Sequence, residues 1–510
     1  MLSVIVILFL ISDLSNASPF PSQFSKFSRQ ASSSSTLKIW KGAFDESVRL
    51  SMREAESGRA LASNVSLSSK YKTQMHMVAG INDCIELLDD TLDLLSNIIL
   101  TNNINHEDDV RTRLSAAITN QETCMESLDK YKLQVEKGII KSMVQKLSHS
   151  ITSSLALYMS TSTSNDNHFR NATWKLSSVE LKLLEANIEE IQVHAVVDKH
   201  GSSGSHKTIG EAIGVAASLA GKGRTVIHIT AGTYHENIKI PTKQKNVMLI
   251  GDGKGKTVIV GDRNSEDGWT TFQSATVAAM GDGFIARDIT FVNSAGGDKH
   301  QAVALRVGSD KSVIFRCSIL GYQDSLYTHS KRQFYRDTDI YGTVDFIFGN
   351  SAVVFQNCNI YARKPVSSGL RNFITAQGRT DPNQNTGISI HNCKIAAASD
   401  LAPSKSNFVT YLGRPWKKYS RTVVMQTYLD DLIHPSGWSP WSGNFALDSL
   451  YYGEYSNTGP GASTSGRVRW ASYHSALTST QAQAFTVAAF ISGNLWLPST
   501  GVSFDSGLLG

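Results

Sequence analysis

Short apolar runs separated by glycine, asparagine and aspartate fill the second part of the chain. Four of them share one pattern: apolar strand residues, a small or sulfur-containing residue, one further position, then an aliphatic residue. These runs are VIFRCSI, FYRDTDI, VVFQNCNI and ISIHNCKI, with the marker residues Cys317, Thr338, Cys358 and Cys393. ARDITFV, with Thr290, fits less well. The steps between successive markers are 27, 21, 20 and 35 residues, which indicates a repeat with insertions.

This repeat predicts a right-handed parallel β-helix. Runs this short and this rich in β-branched residues are typical of strands. A period of this length is typical of a solenoid. The runs also lack the two-residue Asn-Gly or Asp-Gly loops that would join them as hairpins. Strands that coil in one direction instead stack in parallel, each coil covering the one before it.

The first part of the chain has a different period. Between residues 37 and 160, glycine and aromatic residues become sparse, and apolar residues are spaced by three and four positions. The clearest series comprises Ile81, Ile85, Leu88, Leu92 and Leu95. This spacing places the apolar side chains on one face of a helix, and it returns around 114–118 and 147–157. We expect an all-α helical bundle here, followed by a linker at 161–190 and the β-helix domain at 191–510.

Two segments between these regions have their own patterns. One more helical stretch is expected at 179–191, and the following HAVVDKHGSSGSHKTIGEAI predicts a strand, a loop and a helix that caps one end of the solenoid. GDGKGKT, at 251–257, superficially resembles a phosphate-binding loop. It has three residues between its glycines where that motif needs four, and a strand-like run follows it rather than a helix. We interpret it as a turn between coils and reject nucleotide binding.

The N-terminus predicts an exported protein. One short apolar run and a small-residue exit at Ala17 are typical of a signal peptide over residues 1–17. The run is too short for a membrane span, and no later stretch is long and apolar enough. An uncleaved anchor is the alternative. The glycosylation sequons at Asn64 and Asn171 agree with secretion. We expect a secreted, extracellular, monomeric glycoprotein with no membrane contact after cleavage.

The charge and composition of the chain argue against several classes of binding partner. The net charge of +5 is small for 510 residues, and no basic run interleaved with aromatic residues is present. A nucleic-acid partner is therefore not expected. The 14 histidines are scattered without metal-ligand spacing, and no Cys-x-x-Cys pair exists. We expect neither a metal site nor another cofactor.

The five cysteines fall into both regions. Cys84 and Cys124, in the helical region, could join two helices or remain two buried thiols, and secretion favours the bridge. Cys358 and Cys393 occupy equivalent repeat positions, and Cα atoms on stacked strands lie within disulfide range. We predict disulfides Cys84–Cys124 and Cys358–Cys393, and a free, buried thiol at Cys317, whose neighbours in the repeat are threonines.

Two carboxylates give the strongest chemical signal. Asp324 and Asp345 lie 21 residues apart beside aromatic and amide side chains, and Gln301 and Gln323 recur at a similar step. Neighbouring strands lie about 5 Å apart, so carboxyl groups one coil apart can face each other. Two like charges that close leave one protonated acid and one ionised base or nucleophile. Either Asp alone would be interpreted as a solvated turn residue, but the pair in register favours catalysis.

Longer motifs surround these residues. GYQDSLY, GTVDFIFGN, HQAVALRV, YLGRPW with SRTVVMQ, and GWSPWSGNFALDSLYYGEY run through residues 195–505. With these motifs the chain resembles plant pectin methylesterases of the precursor type, in which an inhibitor-like pro-region precedes a β-helical catalytic domain. The resemblance of residues 37–160 to pectin methylesterase inhibitors rests on INDCIELLDD, LSAAITNQETC and the 40-residue cysteine spacing.

The resemblance implies an activity and a set of residues. It implies a cell-wall enzyme that hydrolyses methyl esters of galacturonic acid in pectin without a cofactor, and that a separate inhibitor protein can bind. Matched position by position, Asp345 is the nucleophile, Asp324 the general acid and base, Gln301 and Gln323 stabilise the oxyanion, and Arg414 orients Asp345. The expected substrate-binding residues are Thr271, Phe272, Gln301, Tyr327, Phe348, Arg414, Trp416 and Trp438.

The chain departs from this family at three places. Thr290 stands where many relatives have a cysteine, so a bridge to Cys317 is lost. The paired cysteines expected before the first long helix are absent. No dibasic-Leu-Leu processing sequence is present, and only Trp174-Lys175-Leu176 and Lys182-Leu183-Leu184 come near it. As a hypothesis, residues 37–160 cover the groove or hold the precursor back until they are removed.

Two other classes of function remain open. Paired carboxylates about 5 Å apart also fit retaining glycosidases, and β-helical proteins include polygalacturonases and pectate lyases. The lyases use calcium held by clustered aspartates, and no such cluster accompanies Asp324 and Asp345. The other class is a noncatalytic wall-binding protein. Methanol release without chain cleavage would identify an esterase, and loss of function on Asp345→Asn would exclude the noncatalytic protein.

Overall fold

The computed structural model describes most of the chain. The described residues are 34–67, 75–100, 107–130, 136–162, 184–218, 223–367, 369 and 371–510. The predicted signal peptide, Asn171 and most of the predicted linker lie outside them. Within these ranges, no helix combines the length and the apolar character that crossing a membrane requires.

Four consecutive helices form the first unit. They are α1 (Ser34–Leu67), α2 (Met75–Leu100), α3 (Glu107–Asp129) and α4 (Glu136–Ser162). Each helix packs against the next, and α1 packs against α4, which closes a four-helix bundle. The predicted apolar stripe is its core, because Ile81, Leu88 and Leu95 are all buried. Asn64 lies exposed on α1.

The disulfide predicted in the bundle is confirmed. Cys84 on α2 and Cys124 on α3 are bridged, with their Cα atoms 4.6 Å apart. Both residues are buried. The bridge therefore joins two neighbouring helices inside the bundle.

The second unit consists of parallel strands in three sheets. Sheet 1 contains, in spatial order, β1 (Ala195–Val197), β2 (Thr225–Ile229), β5 (Val247–Gly251), β8 (Ile285–Arg287), β11 (Ser312–Phe315), β14 (Arg332–Arg336), β17 (Ala352–Gln356), β20 (Gly387–His391), β23 (Arg421–Met425), β25 (Tyr451–Tyr455) and β26 (Tyr473–His474). Sheet 2 contains β3 (Gly232–His235), β6 (Thr257–Gly261), β9 (Thr290–Asn293), β12 (Ser318–Leu320), β15 (Asp339–Gly342), β18 (Asn359–Ala362), β21 (Lys394–Ala397) and β24 (Tyr428–Leu429). Sheet 3 contains β4 (Ile238–Ile240), β7 (Val277–Ala279), β10 (Leu305–Val307), β13 (Leu326–Thr328), β16 (Ile347–Gly349), β19 (Asn372–Gln377) and β22 (Thr410–Gly413).

Seven consecutive coils, from β2–β4 to β20–β22, each supply one strand to each sheet, so the predicted parallel β-helix is confirmed. Successive coils pair in register, as where Ile314 lies beside Tyr335 and Tyr335 beside Phe355. The inward side chains of all three sheets form one apolar core. This stacking gives every buried strand hydrogen-bonding partners on both sides, which is why short runs suffice.

The repeat in the sequence reflects the turn from sheet 1 into sheet 2. One residue there has a positive φ in each coil, and the series is Asp288, Arg316, Asp337, Asn357, Asn392 and Gln426. Asp and Asn tolerate this left-handed conformation better than most residues. The next residue points into the core, which accounts for the small or sulfur-containing marker. The coil register pairs Thr290 with Ser318, so Ile289, not Thr290, occupies the position equivalent to Cys317.

The predicted Cys358–Cys393 disulfide is wrong. Both residues are buried free thiols, as Cys317 was correctly predicted to be. Their positions are equivalent on adjacent coils, since Asn359 pairs with Lys394. The stacking brings the two thiols close enough to hydrogen-bond to each other, but no covalent bond joins them. The Sγ of Cys393 also accepts a hydrogen bond from the backbone N–H of Cys358 at 3.4 Å.

The ends of the β-helix are closed by short elements. Helix α5 (Ile209–Ser218) follows β1 and packs against it, as predicted for the cap. The predicted turn at 251–257 joins β5 to β6. Of the helical stretch expected at 179–191, the described part is a turn followed by the 3₁₀ helix Ile188–Glu190, so no α-helix forms there. The remaining elements are the 3₁₀ helices Ala402–Asn407, Gly493–Leu495 and Leu497–Thr500, α6 (Ser479–Gln483) and α7 (Val487–Phe490).

Candidate active site

The two predicted carboxylates lie on adjacent coils. Asp324 and Asp345 each precede a strand of sheet 3 by two residues, and the pairing of Leu326 with Ile347 puts them at equivalent positions. The backbone N–H of Asp324 donates to the carbonyl of Val344 at 3.0 Å. Both aspartates have a positive φ, 63° and 51°, a conformation that Asp tolerates. The tight turn therefore brings both carboxyl groups to the same edge of sheet 3.

Asp324 is held in an environment that favours its protonated form. Its side chain is buried, with 7% of the residue exposed. Burial raises the pKa of Asp324 well above its ordinary value, and the negative charge of Asp345 raises it further, against the opposing effect of Arg414. Desolvation and like charge act in the same direction here.

Asp345 differs because a cation is bound to it. The Nε of Arg414 donates to Oδ1 of Asp345 at 2.8 Å, and Nη2 donates to Oδ2 at 2.6 Å. Burial raises the pKa of Asp345, and the hydrogen bonds and charge of Arg414 oppose this. The bidentate pair stabilises the ionised carboxylate. The pKa of Asp345 is still raised, but that of Asp324 is raised well above its ordinary value, so the two aspartates differ in how strongly their surroundings favour the protonated form.

Two aromatic rings fix the guanidinium of Arg414. Its Cζ lies 4.1 Å from the ring centroid of Phe373 and 4.3 Å from that of Trp441. Neither ring was among the predicted site residues. Trp441 is 37% exposed and stands in the GWSPW motif, only three residues after the tryptophan that was predicted.

Trp438 does not line a groove, which corrects the prediction for it. The residue is 1% exposed, its ring packs on Tyr452 with centroids 4.2 Å apart, and its Nε1 donates to Glu454 at 3.3 Å. It belongs to the core of the β-helix. The exposed tryptophan of this motif is Trp441.

The two glutamines lie on stacked turns beside the carboxylates. The backbone N–H of Ala302, next to Gln301, donates to the carbonyl of Gln323 at 3.2 Å. Both glutamines are half-buried. Among the described residues, neither side-chain amide has a hydrogen-bonding partner in the structure. Their N–H groups therefore remain available to a ligand.

The outward face of sheet 3 forms a floor beside this edge. One row of paired residues crosses it from coil to coil: Lys239, Ala278, Arg306, Tyr327, Phe348 and Ala376. Tyr327 stacks on Phe348 with centroids 4.2 Å apart, and Trp416 meets Phe348 edge-on at 5.9 Å. Phe272 lies over Arg306, and Thr271, half-buried, adjoins it. All the predicted substrate-binding residues except Trp438 are therefore near the proposed site. Some lie on the floor of sheet 3 or next to it, and the others lie beside Asp324 and Asp345.

Comparison with known proteins identifies the family of this chain. Residues 194–494 match the Pectinesterase family model, and residues 22–157 match the model of plant invertase/pectin methylesterase inhibitors. The chain belongs to the pectinesterase family. It is 57% identical over 509 residues to "Probable pectinesterase/pectinesterase inhibitor 35" of Arabidopsis thaliana, which covers 96% of this chain and 93% of that protein. It is 46% identical over 494 residues to "Pectinesterase 2" of Citrus sinensis, covering 96% and 93%.

A solved relative shows the same β-helix. "Pectin methylesterase from Carrot" is 58% identical and superposes with a TM-score of 0.60, covering 62% of this chain and 99% of that one. The resemblance inferred from the sequence motifs is therefore confirmed, and this chain is a pectinesterase with an added inhibitor-type helical domain. The match takes up almost all of the carrot chain but less than two thirds of this one, so the carrot structure has no counterpart of the remainder of this chain.

In this pectinesterase the helical domain lies on the floor of sheet 3. One apolar cluster contains residues of both domains, including Leu87 and Leu128 from the bundle. Phe272, Tyr327 and Phe348 are between 1% and 4% exposed as a result. Polar contacts join the same faces: Thr123 Oγ1 lies 3.0 Å from His329 Nε2 and 3.4 Å from the Tyr327 hydroxyl, and Asn350 donates to Thr119 at 2.8 Å.

Among the described residues, every ion pair across this interface has the same polarity. The acids belong to the helices and the bases to the β-helix. The pairs are Glu86 with Lys239 at 2.5 Å and with Arg306 at 3.8 Å, Asp90 with Lys331 at 3.1 Å, Asp93 with Lys245 at 3.3 Å, Asp109 with Arg332 at 2.5 Å and with Lys311 at 3.9 Å, and Lys417 with Glu126 at 2.5 Å and with Glu122 at 4.0 Å. The motifs INDCIELLDD and HQAVALRV contain Glu86, Asp90 and Arg306, but they served only for the family resemblance and not to predict these ion pairs. An acidic stripe on α2, at positions 83, 86, 90 and 93, was the signal that could have revealed the interface.

Proposed function

We propose that the β-helix domain hydrolyses methyl esters of galacturonic acid residues in pectin, releasing methanol and leaving carboxylates on the polymer. One observation carries the proposal: of two aspartates stacked on adjacent coils, Asp345 alone accepts two hydrogen bonds from Arg414. This asymmetry supplies one ionised nucleophile and one protonated acid. The substrate class comes from the family, whose members here are named pectinesterase and pectin methylesterase.

In the first step, Asp345 attacks the ester. One carboxylate oxygen forms a bond to the carbonyl carbon, and the carbonyl electron pair moves onto its oxygen. Arg414 keeps Asp345 ionised and orients it. The side-chain N–H groups of Gln301 and Gln323 donate to the developing oxyanion. Trp416 and Trp441 present flat faces to the sugar rings.

In the second step, methanol leaves. The carbonyl re-forms, the bond to the methoxy oxygen breaks, and Asp324 gives its proton to that oxygen. A mixed anhydride of Asp345 and galacturonate remains. Asp324, now ionised, removes a proton from water, which attacks the galacturonyl carbon and releases Asp345 as a carboxylate. The galacturonic acid product ionises in water, and Asp324 is protonated again.

We further propose that the helical region predicted at 37–160 holds the enzyme back by covering this groove. The buried aromatic rings and the interdomain ion pairs support this proposal, because a polysaccharide needs the surface that the bundle occupies. Residues 161–190 would then be the linker and processing region, and 191–510 the catalytic domain. With a signal peptide at 1–17, the enzyme would act in the cell wall.

The catalytic proposal is tested with residues 184–510 alone. The fragment should begin at Leu184, because its carbonyl accepts a hydrogen bond from Arg287 at 3.2 Å and its side chain is buried. On methylated pectin the fragment should release methanol and acid in equal amounts without shortening the polymer. Asp345→Asn should lower kcat by about 1,000-fold or more, the scale of losing a nucleophile.

A matched control separates chemistry from folding. Asp337→Asn changes another aspartate with positive φ, at the turn into sheet 2, and should retain activity near that of the parent fragment. Chain shortening would instead indicate a glycosidase or a lyase, and full activity of Asp345→Asn would refute the mechanism. For the covering proposal, equal rates for the full chain and the fragment would show that the bundle does not inhibit.

A further inference from the structure

A lysine beside the groove is occupied by carboxylates of the helical domain. Lys417 directly follows Trp416, and its Nζ lies 5.2 Å from the ring centroid of Trp416. The same Nζ lies 2.5 Å from Oε1 of Glu126 and 4.0 Å from Oε2 of Glu122. Both glutamates are on α3. Among the described residues, these are the acidic partners that the structure gives Lys417.

The contact lies next to the proposed ester site. Trp416 meets Phe348 on the floor of sheet 3. The negative charge of Glu126 helps to raise the pKa of both Asp324 and Tyr327. Glu126, the acid that pairs with Lys417, therefore stands within electrostatic range of Asp324.

The surroundings keep Lys417 charged. Burial alone would lower its pKa, but the two glutamates more than offset this and raise it. Arg414, the neighbouring cation, is already bound by Asp345 through two hydrogen bonds. In the segment Arg414–Lys417, removal of the bundle would leave Arg414 bound to Asp345 but would take away the carboxylate partners of Lys417. The ammonium group would then be free to meet an anionic polymer in the groove.

We propose that Lys417 binds the free carboxylate of an already de-esterified galacturonate next to the ester under attack, and that Glu126 occupies the place of this carboxylate in the full chain. The inference rests on the proposed function, since it names a specificity determinant of the same groove. A neutral methyl ester at that position would leave the ammonium group without a counter-charge. The uncovered enzyme should therefore favour esters that adjoin free acid.

The direct test is binding to residues 184–510. The probes are galacturonate oligomers of one length, either fully de-esterified or fully methyl-esterified, measured by calorimetry in low salt. Lys417→Gln should weaken binding of the de-esterified oligomer about tenfold, within the range for a partly desolvated ionic hydrogen bond, and leave the esterified oligomer within twofold. The matched control Lys418→Gln changes the exposed neighbour and should leave both oligomers within twofold.

Two further measurements keep the proposal falsifiable. Lys417→Arg keeps the charge and should restore most of the lost affinity. On half-esterified pectin, Lys417→Gln should raise KM several-fold with kcat unchanged, and on fully esterified pectin it should change neither. Equal weakening of both oligomers, weakening by Lys418→Gln to the same extent, or no effect of Lys417→Gln would overturn the proposal. An inactive parent fragment would refute the esterase function alone, because the binding measurements would still decide the role of Lys417.

Discussion

The cations under the helical domain fall into two groups. Lys331 and Arg332 have carboxylate partners in their own domain as well, Asp282 at 3.2 Å and Asp310 at 2.7 Å. In the described residues, the acids recorded with Lys239, Arg306 and Lys417 all come from the bundle. Removing the bundle leaves the first group compensated and the second without counter-charge. The first group belongs to the architecture of the β-helix, and the second becomes a positively charged face for an anionic polymer.

Among single substitutions in the full chain, Asp90→Asn should weaken the docking of the bundle on the β-helix most. Asp90 is buried and accepts two hydrogen bonds from the β-helix, from Lys331 at 3.1 Å and from Thr242 at 3.0 Å. Lys331 retains Asp282 as a partner, so the cost is that of two hydrogen bonds to a charged group, about 1.5–3 kcal/mol each. Docking of the bundle should weaken by this amount, so esterase activity should rise towards that of residues 184–510. The control is Asp89→Asn, whose side chain pairs with Arg59 on the bundle surface. If both variants activate the enzyme equally, these hydrogen bonds are not what holds the domains together.

The next largest effect should come from breaking the Cys84–Cys124 disulfide, which lies in the helical bundle and not in the β-helix. It closes a 40-residue separation, and loss of such a bridge typically costs about 2–4 kcal/mol. A mild reductant should therefore lower the Tm of the bundle and raise the activity of the full chain. The same treatment should leave the Tm of residues 184–510 unchanged. A shift in the fragment would show that the β-helix also depends on a disulfide.

A smaller, pH-dependent effect is expected at Asp83 on α2. Its carboxyl accepts a hydrogen bond from Thr270 of the β-helix at 2.6 Å, and burial raises its pKa from 3.8 to about 6. A raised pKa means that the docked state binds the proton more tightly. The stabilisation is fully present below about pH 4, is lost as pH rises through about 6, and amounts to at most about 3 kcal/mol.

The ratio of full-chain to fragment activity measures this effect. It should increase between pH 4 and 6 as docking weakens. Asp83→Asn should flatten the increase, whereas Asp89→Asn should leave it intact. An unchanged profile for Asp83→Asn would assign the pH dependence to another group.

The last prediction is the number of free thiols, for which no change in stability is expected. Unfolded under nonreducing conditions, the full chain should show three thiols, and residues 184–510 should show the same three. The expectation from sequence alone was one. A count of one would restore the Cys358–Cys393 bridge and contradict the two free thiols of the structure.

The β-helix could be predicted because its turns leave a local trace. A residue with left-handed backbone conformation recurs at Asp337, Asn357 and Asn392, and each is followed by a small residue that points into the core. This pair recurs regardless of which apolar residues form the strands. The placement of Thr290 was wrong by one position because the same turn at Asp288 carries Ile289 inward. The pattern specified the fold better than the register of its coils.

The carboxylates could also be placed from the sequence, whereas their surroundings could not. A 21-residue step predicted that Asp324 and Asp345 stack. Which tryptophan of GWSPW faces outward depends on the path of a loop after β22, and periodicity does not specify it. The interface with the bundle depends on where two separately folded units meet. Only the acidic stripe of α2 hinted at that surface.

The row of paired residues across sheet 3 makes the length of the floor proportional to the number of coils. Each coil extends the floor by one strand spacing, about 4.8 Å. Gain or loss of one coil would therefore change how many sugar units the enzyme spans while leaving the reacting turn at Asp324 and Asp345 unaltered. In this architecture, footprint length and reaction chemistry can evolve separately.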